Sequence, residues 1–190
     1  WFGEKAYLAL DDIQAVGCNT IRIVWETKRK DSDLERIIKR CIELEMIPMV
    51  ELHDVTGNTS GERLAEMASW YAEPERAKML QKYERFLLLN IANEWGAHKT
   101  KADYWMKSYA QCIDIMRKAG YLTTLVIDAP GWGQNMDPII ECGQQLIDHD
   151  PLHNILFSIH MYGSWNKAKR IKEQLTLCYQ KHLPLIVGEF

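Results

Sequence analysis

Six short apolar runs, beginning at Thr20, Pro48, Phe86, Thr123, Ile155 and Pro184, constrain what this chain of 190 residues can fold into. Their starts lie 28, 38, 37, 32 and 29 residues apart. The stretches between them carry apolar residues at helical spacing, such as Leu34, Ile37, Ile38, Cys41, Ile42 and Leu44, or Met106, Tyr109, Ala110, Ile113 and Met116. Strand and helix in alternation argue for a parallel sheet, because each helix carries the chain back to the end from which the next strand starts. The runs Thr20–Trp25, Pro48–His53, Phe86–Asn93, Thr123–Asp128, Ile155–His160 and Pro184–Glu189 are apolar enough for burial on both faces. Gly17, Gly120 and the pair Ile47-Pro48 stand where a helix is expected to stop.

The chemically able residues gather where the runs end: His53 and Asp54, Asn93 and Glu94, Asp128, His160 and Tyr162, and Glu189. Strand ends converge around one mouth at the C-terminal face of a parallel α/β barrel. A doubly wound open sheet would instead put its site at a switch point, usually with a Gly-rich phosphate turn, and neither GxGxxG nor GxxxxGK[ST] occurs. The expected fold is therefore α/β, a (β/α)8 barrel, with residues 1–190 forming one domain. About six βα units are visible. Trp1 to Val16 reads as a connection and a first helix, so the first and eighth strands are expected outside this segment.

Composition narrows the partners. A hydrophobic content of 47% supports a sizeable core, and the net charge of -3, with Lys28-Arg29-Lys30 as the one basic run, gives no footprint for nucleic acid. No stretch approaches the roughly 20 apolar residues of a spanning helix, so no membrane partner is expected. The five cysteines (Cys18, Cys41, Cys112, Cys142, Cys178) stand singly, without a CxxC or zinc spacing, and read as mostly buried apolar residues.

Glu94 and Glu189 are the strongest functional candidates. A carboxylate at the end of an apolar strand costs stability unless it is used. Two such groups can cleave an acetal, one protonating the leaving oxygen while the other attacks the anomeric carbon or activates water. Each could instead be a structural, ion-paired acid. A metal-dependent hydrolase is a rival, since His53, Asp54, Glu94 and His160 could meet in one mouth, but no HxH or HExxH pair is present and no metal or cofactor is expected. A barrel that binds carbohydrate without chemistry is a rival of another class. Asp54 and Asp128 read as braces of nearby loops.

The segments Asn93-Glu94, His160-Met161-Tyr162 and Gly188-Glu189-Phe190 resemble the signature of the clan of retaining (β/α)8 glycosidases that carries its acid/base after the fourth strand and its nucleophile on the seventh. The strings from Glu51 to Gly57, Asn90 to Trp95, Ile127 to Gln134 and Ser158 to Tyr162 are similar to bacterial endo-β-1,4-mannanases of glycoside hydrolase family five. The resemblance runs along nearly the whole chain.

It implies that Glu94 is the general acid/base and Glu189 the nucleophile, with Asn93 at the substrate 2-hydroxyl. Arg22 matches the arginine beside the nucleophile, whose charge favours an anion there. His160 and Tyr162 match the pair that hydrogen-bonds around the two glutamates, and His53 a polar residue at its own strand end. Trp132, in Gly131-Trp132-Gly133-Gln134, is the expected stacking platform for a sugar, whereas Trp25, Trp70, Trp105 and Trp165 are expected to pack. The substrate implied is a polysaccharide, mannan first and β-1,4-glucan second, met by a secreted monomer. The charged segment from Glu26 to Ser32 departs from the more neutral loop of the bacterial mannanases. A tryptophan on the eighth strand would complete the site, so this segment alone is expected to be poorly active.

Overall fold

The computed structural model describes residues 4–190, and Trp1 to Gly3 of the expected connection lie outside the described residues. Helix α1 (Glu4–Ala15) leads into β1 (Thr20–Trp25), followed by α2 (Asp31–Glu43), β2 (Ile47–Leu52), α3 (Gly61–Tyr71), α4 (Pro74–Gln81) and β3 (Leu88–Asn90). Then come α5 (Ala102–Lys118), β4 (Thr124–Asp128), α6 (Asp137–His149), β5 (Ile155–His160), α7 (Ala168–Gln180) and β6 (Leu185–Glu189). All neighbouring strands pair in parallel, in the order β1-β2-β3-β4-β5-β6. A doubly wound sheet reverses its strand order at a switch point; this one never does, so the strands curl as part of a (β/α)8 barrel.

The helices form where the sequence pattern calls for them. In α2 the stripe Leu34, Ile37, Ile38 and Cys41 is buried, with Asp31 and Asp33 in the first turn and Arg40 in the last, as the helix dipole favours. The Ser60 hydroxyl caps α3 by accepting from Arg63 N at 3.4 Å. Gly17 and Gly120 end α1 and α5 with left-handed backbone, as expected. At the end of α2 the left-handed residue is Glu45, ahead of the expected Ile47-Pro48, and Ile47 already opens β2. Trp25, Trp105 and Trp165 are buried, and Trp70 packs under the Arg76 guanidinium at 3.8 Å, so these four do pack. All five cysteines are free thiols and four are buried; burial raises Cys41 and Cys112 to about 12.

The third apolar run needs correction. Phe86–Asn93 was expected to be one strand, but Glu84–Phe86 is a 3-10 turn and β3 is only Leu88–Asn90. Beyond Asn90 the regular pairing stops: Ile91 N and Asn93 N still donate to Val126 O of β4 and Leu52 O of β2, but Ala92 N and Glu94 N turn to the side chains of Asn90 and Asp128, and residues 91–95 shape the mouth.

Candidate active site

Strand period and register decide which side chains enter the barrel. Arg22 lies opposite Met49, Val24 opposite Glu51, Glu51 opposite Asn90, and Asp128 opposite Ser158, so these residues share the inner face. Val50, Leu52, Leu89, Ile127, Phe157 and Ile159 alternate with them and are buried on the outer face within the hydrophobic core. The inner face is thus polar near its C-terminal end.

Glu94 lies four residues beyond β3, with φ of 46°, a left-handed conformation uncommon for a side-chain-bearing residue. Each step towards it is tied down. Asn93 N donates to Leu52 O at 2.8 Å, Glu94 N to Asp128 Oδ2 at 3.0 Å, and Glu94 O accepts from Gly57 N at 3.1 Å. Such a conformation persists only where its surroundings over-determine it. The side chain then meets His160, whose Nδ1 is 2.7 Å from Glu94 Oε1. Trp95 turns into the core, edge-on to Tyr109, with its Nε1 donating to Ser60 O at 3.0 Å, so it is a packing residue.

Glu189 reaches the same point by a different device. Ile159 pairs with Val187 but His160 pairs with Glu189, so β6 spends one extra residue, Gly188, in a bulge. The bulge brings Glu189 onto the inner face beside His160, at 3.7 Å from Nδ1 to Oε1. Arg22 Nη1 donates to Glu189 Oε1 at 2.6 Å and Tyr162 OH to Oε2 at 2.9 Å. Arg22 Nη2 donates to Asn93 Oδ1 at 2.7 Å, and Asn93 Nδ2 to Thr56 Oγ1 at 2.9 Å. Arg22 is buried enough that desolvation opposes its charge, yet Asp128, Glu51, Glu189 and Glu94 outweigh that and raise its pKa further. The bond to Glu189 likewise raises the Tyr162 hydroxyl.

His160 is fully buried. Burial lowers its pKa, but the Glu94 bond and the charges of Asp128 and Glu189 prevail over it and over Arg22, leaving it above the ordinary imidazole value. Its place depends on Gly133, whose carbonyl accepts from His160 N at 2.7 Å. A Cβ at Gly133 would overlap the imidazole ring, and the residue has φ of 67°, so both space and backbone call for glycine. Trp132, one residue earlier, is 54% exposed on the rim. Its ring leans on Gly57, and together with Gly96, Ala97, His98 and Lys99 it lines a cavity of about 320 Å³.

Direct hydrogen bonds therefore join Arg22, Asn93, Tyr162 and Glu189 in one set and Glu94 and His160 in another, the two meeting where His160 Nδ1 stands 3.7 Å from Glu189 Oε1, whereas Trp132 stands at the rim. His53 joins through a residue that was not singled out from the sequence: its Nδ1 is 3.0 Å from Glu51 Oε1, and Arg22 Nη1 donates to the same oxygen at 3.4 Å. Glu51 sits inside an otherwise apolar strand, a signal of the kind that exposed Arg22. Asp54 is a loop brace as expected, accepting from Thr27 N at 3.0 Å and from its hydroxyl at 2.6 Å. Asp128 does more than that. It is fully buried, accepts from Asn90 Nδ2 at 2.7 Å and from Glu94 N, and stands 3.6 Å from Arg22 Nη2 and 3.5 Å from His160 Nε2. In the segment after β1, Glu26 takes Lys28 and Arg29 at 3.0 Å each, while Asp31 accepts from Arg76 Nε at 2.9 Å.

One ligand atom from each of Glu94, His160 and Glu189 lies within 4.8 Å of the others. The set contains a single imidazole, and its Nδ1 is already engaged by Glu94, while His53 turns to Glu51. Two carboxyl groups, one served by an imidazole and the other by a guanidinium and a phenol, suit the division of labour between an acid/base and a nucleophile.

A curled parallel sheet carrying paired glutamates at its C-terminal mouth defines a (β/α)8 barrel of glycosidase type. A family profile described as Cellulase (glycosyl hydrolase family 5) matches residues 1–190, and the chain belongs to that family. It is 35% identical to the mannan endo-1,4-beta-mannosidase of Salipaludibacillus agaradhaerens, with all of this chain and 63% of that protein aligned. It is 32% identical to the beta-mannanase/endoglucanase A of Caldicellulosiruptor saccharolyticus, over all of this chain and 15% of that one. The mannotriose complex of the Thermomonospora fusca beta-mannanase superposes with a TM-score of 0.89 at 34% identity, covering 98% of this chain and 65% of that structure. The chain thus spans somewhat under two thirds of the length of these single-activity relatives.

Proposed function

We propose that this protein is an endo-acting, retaining glycoside hydrolase that cleaves β-1,4-linked mannan, with Glu94 as acid/base and Glu189 as nucleophile. The observation that carries the reading is the approach of the two carboxylates, an oxygen of each lying within 4.8 Å of the other. Retaining enzymes hold the two groups roughly 5 to 5.5 Å apart, whereas an inverting pair stands about 6.5 to 9.5 Å apart to admit water.

In the first step Glu189 attacks the anomeric carbon while Glu94 gives its proton to the departing glycosidic oxygen, leaving a glycosyl ester and a carboxylate at Glu94. Glu94 then takes a proton from water as the hydroxide oxygen displaces Glu189, which restores both groups. Arg22 Nη1 and Tyr162 OH orient the attacking carboxylate, one on each oxygen. Oε1 of Glu94 rests on His160, so Oε2, without a hydrogen-bond partner among the described residues, is the atom that meets the leaving group. Asn93, anchored by Arg22 and Thr56, stands next to both for the sugar 2-hydroxyl, and Trp132 offers a stacking face at the rim. Secretion and a monomeric state belong to the same proposal.

The mannan endo-1,4-beta-mannosidase relatives favour mannan, and the Caldicellulosiruptor beta-mannanase/endoglucanase A supports β-1,4-glucan as the second reading. Reducing-sugar release by the full-length protein from galactomannan and carboxymethyl cellulose, with Glu189→Ala as control, tests both. Release from mannan that the substitution abolishes is the expected result. Preference for cellulose would move the substrate to glucan, and no release from either would overturn the enzyme reading in favour of a binding barrel.

A further inference from the structure

Glu51 is a third carboxylate at the site, fully buried on the inner face of β2. Its Oε1 faces His53 Nδ1 at 3.0 Å and Arg22 Nη1 at 3.4 Å, and that same Nη1 bonds Glu189 Oε1 at 2.6 Å. Its Oε2 is buried with no hydrogen-bond partner among the described residues. A half-satisfied buried carboxylate is a poor way to stabilise a strand, and an apolar residue of similar size would serve β2 at less cost. The sheet gains nothing evident from it, but the site does.

The geometry points to Glu51 as a positioning residue with two dependants: it turns His53 so that Nε2 is the atom presented to a substrate hydroxyl, and it holds the Arg22 fork against Glu189. With Nδ1 committed to Glu51, Nε2 is the remaining polar atom of a ring whose side chain is 42% exposed. On the other side, Nη1 lies between two carboxylates and Nη2 goes to Asn93, so Glu51 fixes the rotation of the guanidinium that contacts the nucleophile. This inference rests on the glycosidase reading for its role in turnover, but not for its structural part.

The charged groups facing His53 are Glu51 from its own strand, Arg22 from β1 and Glu189 from β6. The Glu51 bond raises its pKa, burial and Arg22 oppose, and Glu189 adds to the rise. Burial pushes the Glu51 carboxyl itself up while His53 and Arg22 oppose that, and loss of its bond to His53 therefore moves the His53 titration to lower pH.

The test is Glu51→Gln in the full-length protein, with nitrogen-15 NMR titration of His53 and kcat/KM on mannan across pH. We expect kcat/KM to fall by about tenfold or more and the His53 midpoint to drop by at least about half a pH unit. An unchanged kcat/KM, or a fall in kcat/KM with His53 titrating as in the parent protein, overturns the assignment. Should Glu51→Gln not fold, Glu51→Asp, which keeps the charge but withdraws Oε1, is read by the same two measurements and the same criteria. If the parent does not cleave mannan, the mannanase reading fails by itself, and the substrate-free His53 titration still decides the positioning claim.

Discussion

The centre of the sheet and its two flanks are built differently. Strands β2 to β5 are almost wholly buried, and α5 alone buries Trp105, Ser108, Tyr109, Cys112, Ile113 and Met116. In β1 and β6 most residues are only half-buried; among the described residues, α1 buries Leu10 alone and α7 Cys178 alone. A cavity of about 370 Å³ remains between α1 and β1, lined by Leu10, Ile13, Ile21, Ile23 and Ile37. The candidate site straddles this divide. Glu94, His160 and Asp128 stand in the buried centre, while Arg22 and Glu189 come from the two flanking strands. Their 2.6 Å ion pair joins β1 to β6, which share no ladder. The Glu94 side is thus preorganised by packing, and the Glu189 side by a polar latch.

Breaking that latch should have the largest effect. Arg22→Ala removes the donor to Glu189 and the anchor of Asn93, and kcat on mannan should drop about 10²- to 10³-fold, as for other preorganised charge-stabilising donors. A loss confined to KM would show that the latch is not part of catalysis.

On the buried side, Gly133→Ala pushes a methyl into the His160 ring and imposes backbone strain of about 1–3 kcal/mol, so a lower Tm should accompany a lower kcat. A parent-like Tm and kcat would mean that the centre is looser than its packing implies. The raised His160 pKa gives the buried side a pH dependence. Because the native value exceeds the unfolded one, the stabilisation is complete below the ordinary imidazole value of about 6.5 and disappears as pH rises through the native value. The Tm difference between the parent and His160→Asn should therefore be widest in mildly acidic buffer and shrink above neutrality. A difference independent of pH would remove the imidazolium from the account.

The smallest effect belongs to the rim. Trp132→Ala should raise KM by about three- to tenfold, with little change in Tm, because the ring is 54% exposed. A large loss of kcat instead would tie Trp132 to the acid/base through Gly133 and His160.

Much of this arrangement was legible in the chain. The spacing of apolar runs implied the parallel sheet, and the polar ends of those runs, with the resemblance they carry, pointed to Glu94, Glu189, Arg22, Asn93, His160 and Tyr162. Glu51 and Asp128 were harder, because period two tells that alternate residues share a face but not which face closes on the barrel interior. Gly188 looked like a strand residue, yet the bulge it forms is what aligns Glu189 with His160, and register is a property of two strands together. The run Phe86–Asn93 misled for a similar reason. Its apolar character suits burial, but Asn93 N takes a carbonyl of β2 and Glu94 N takes a carboxylate of β4, partners too distant in sequence to foresee.

In the proposed mechanism the latched carboxylate of Glu189 attacks the sugar while the buried Glu94 protonates the leaving group. Incubating the full-length protein with an activated 2-deoxy-2-fluoro-mannoside, and mapping the label by peptide mass spectrometry, tests it most directly. One glycosyl adduct on the peptide containing Glu189 is the expected result. An adduct on another residue, or none while mannan is still hydrolysed with inversion, would contradict it.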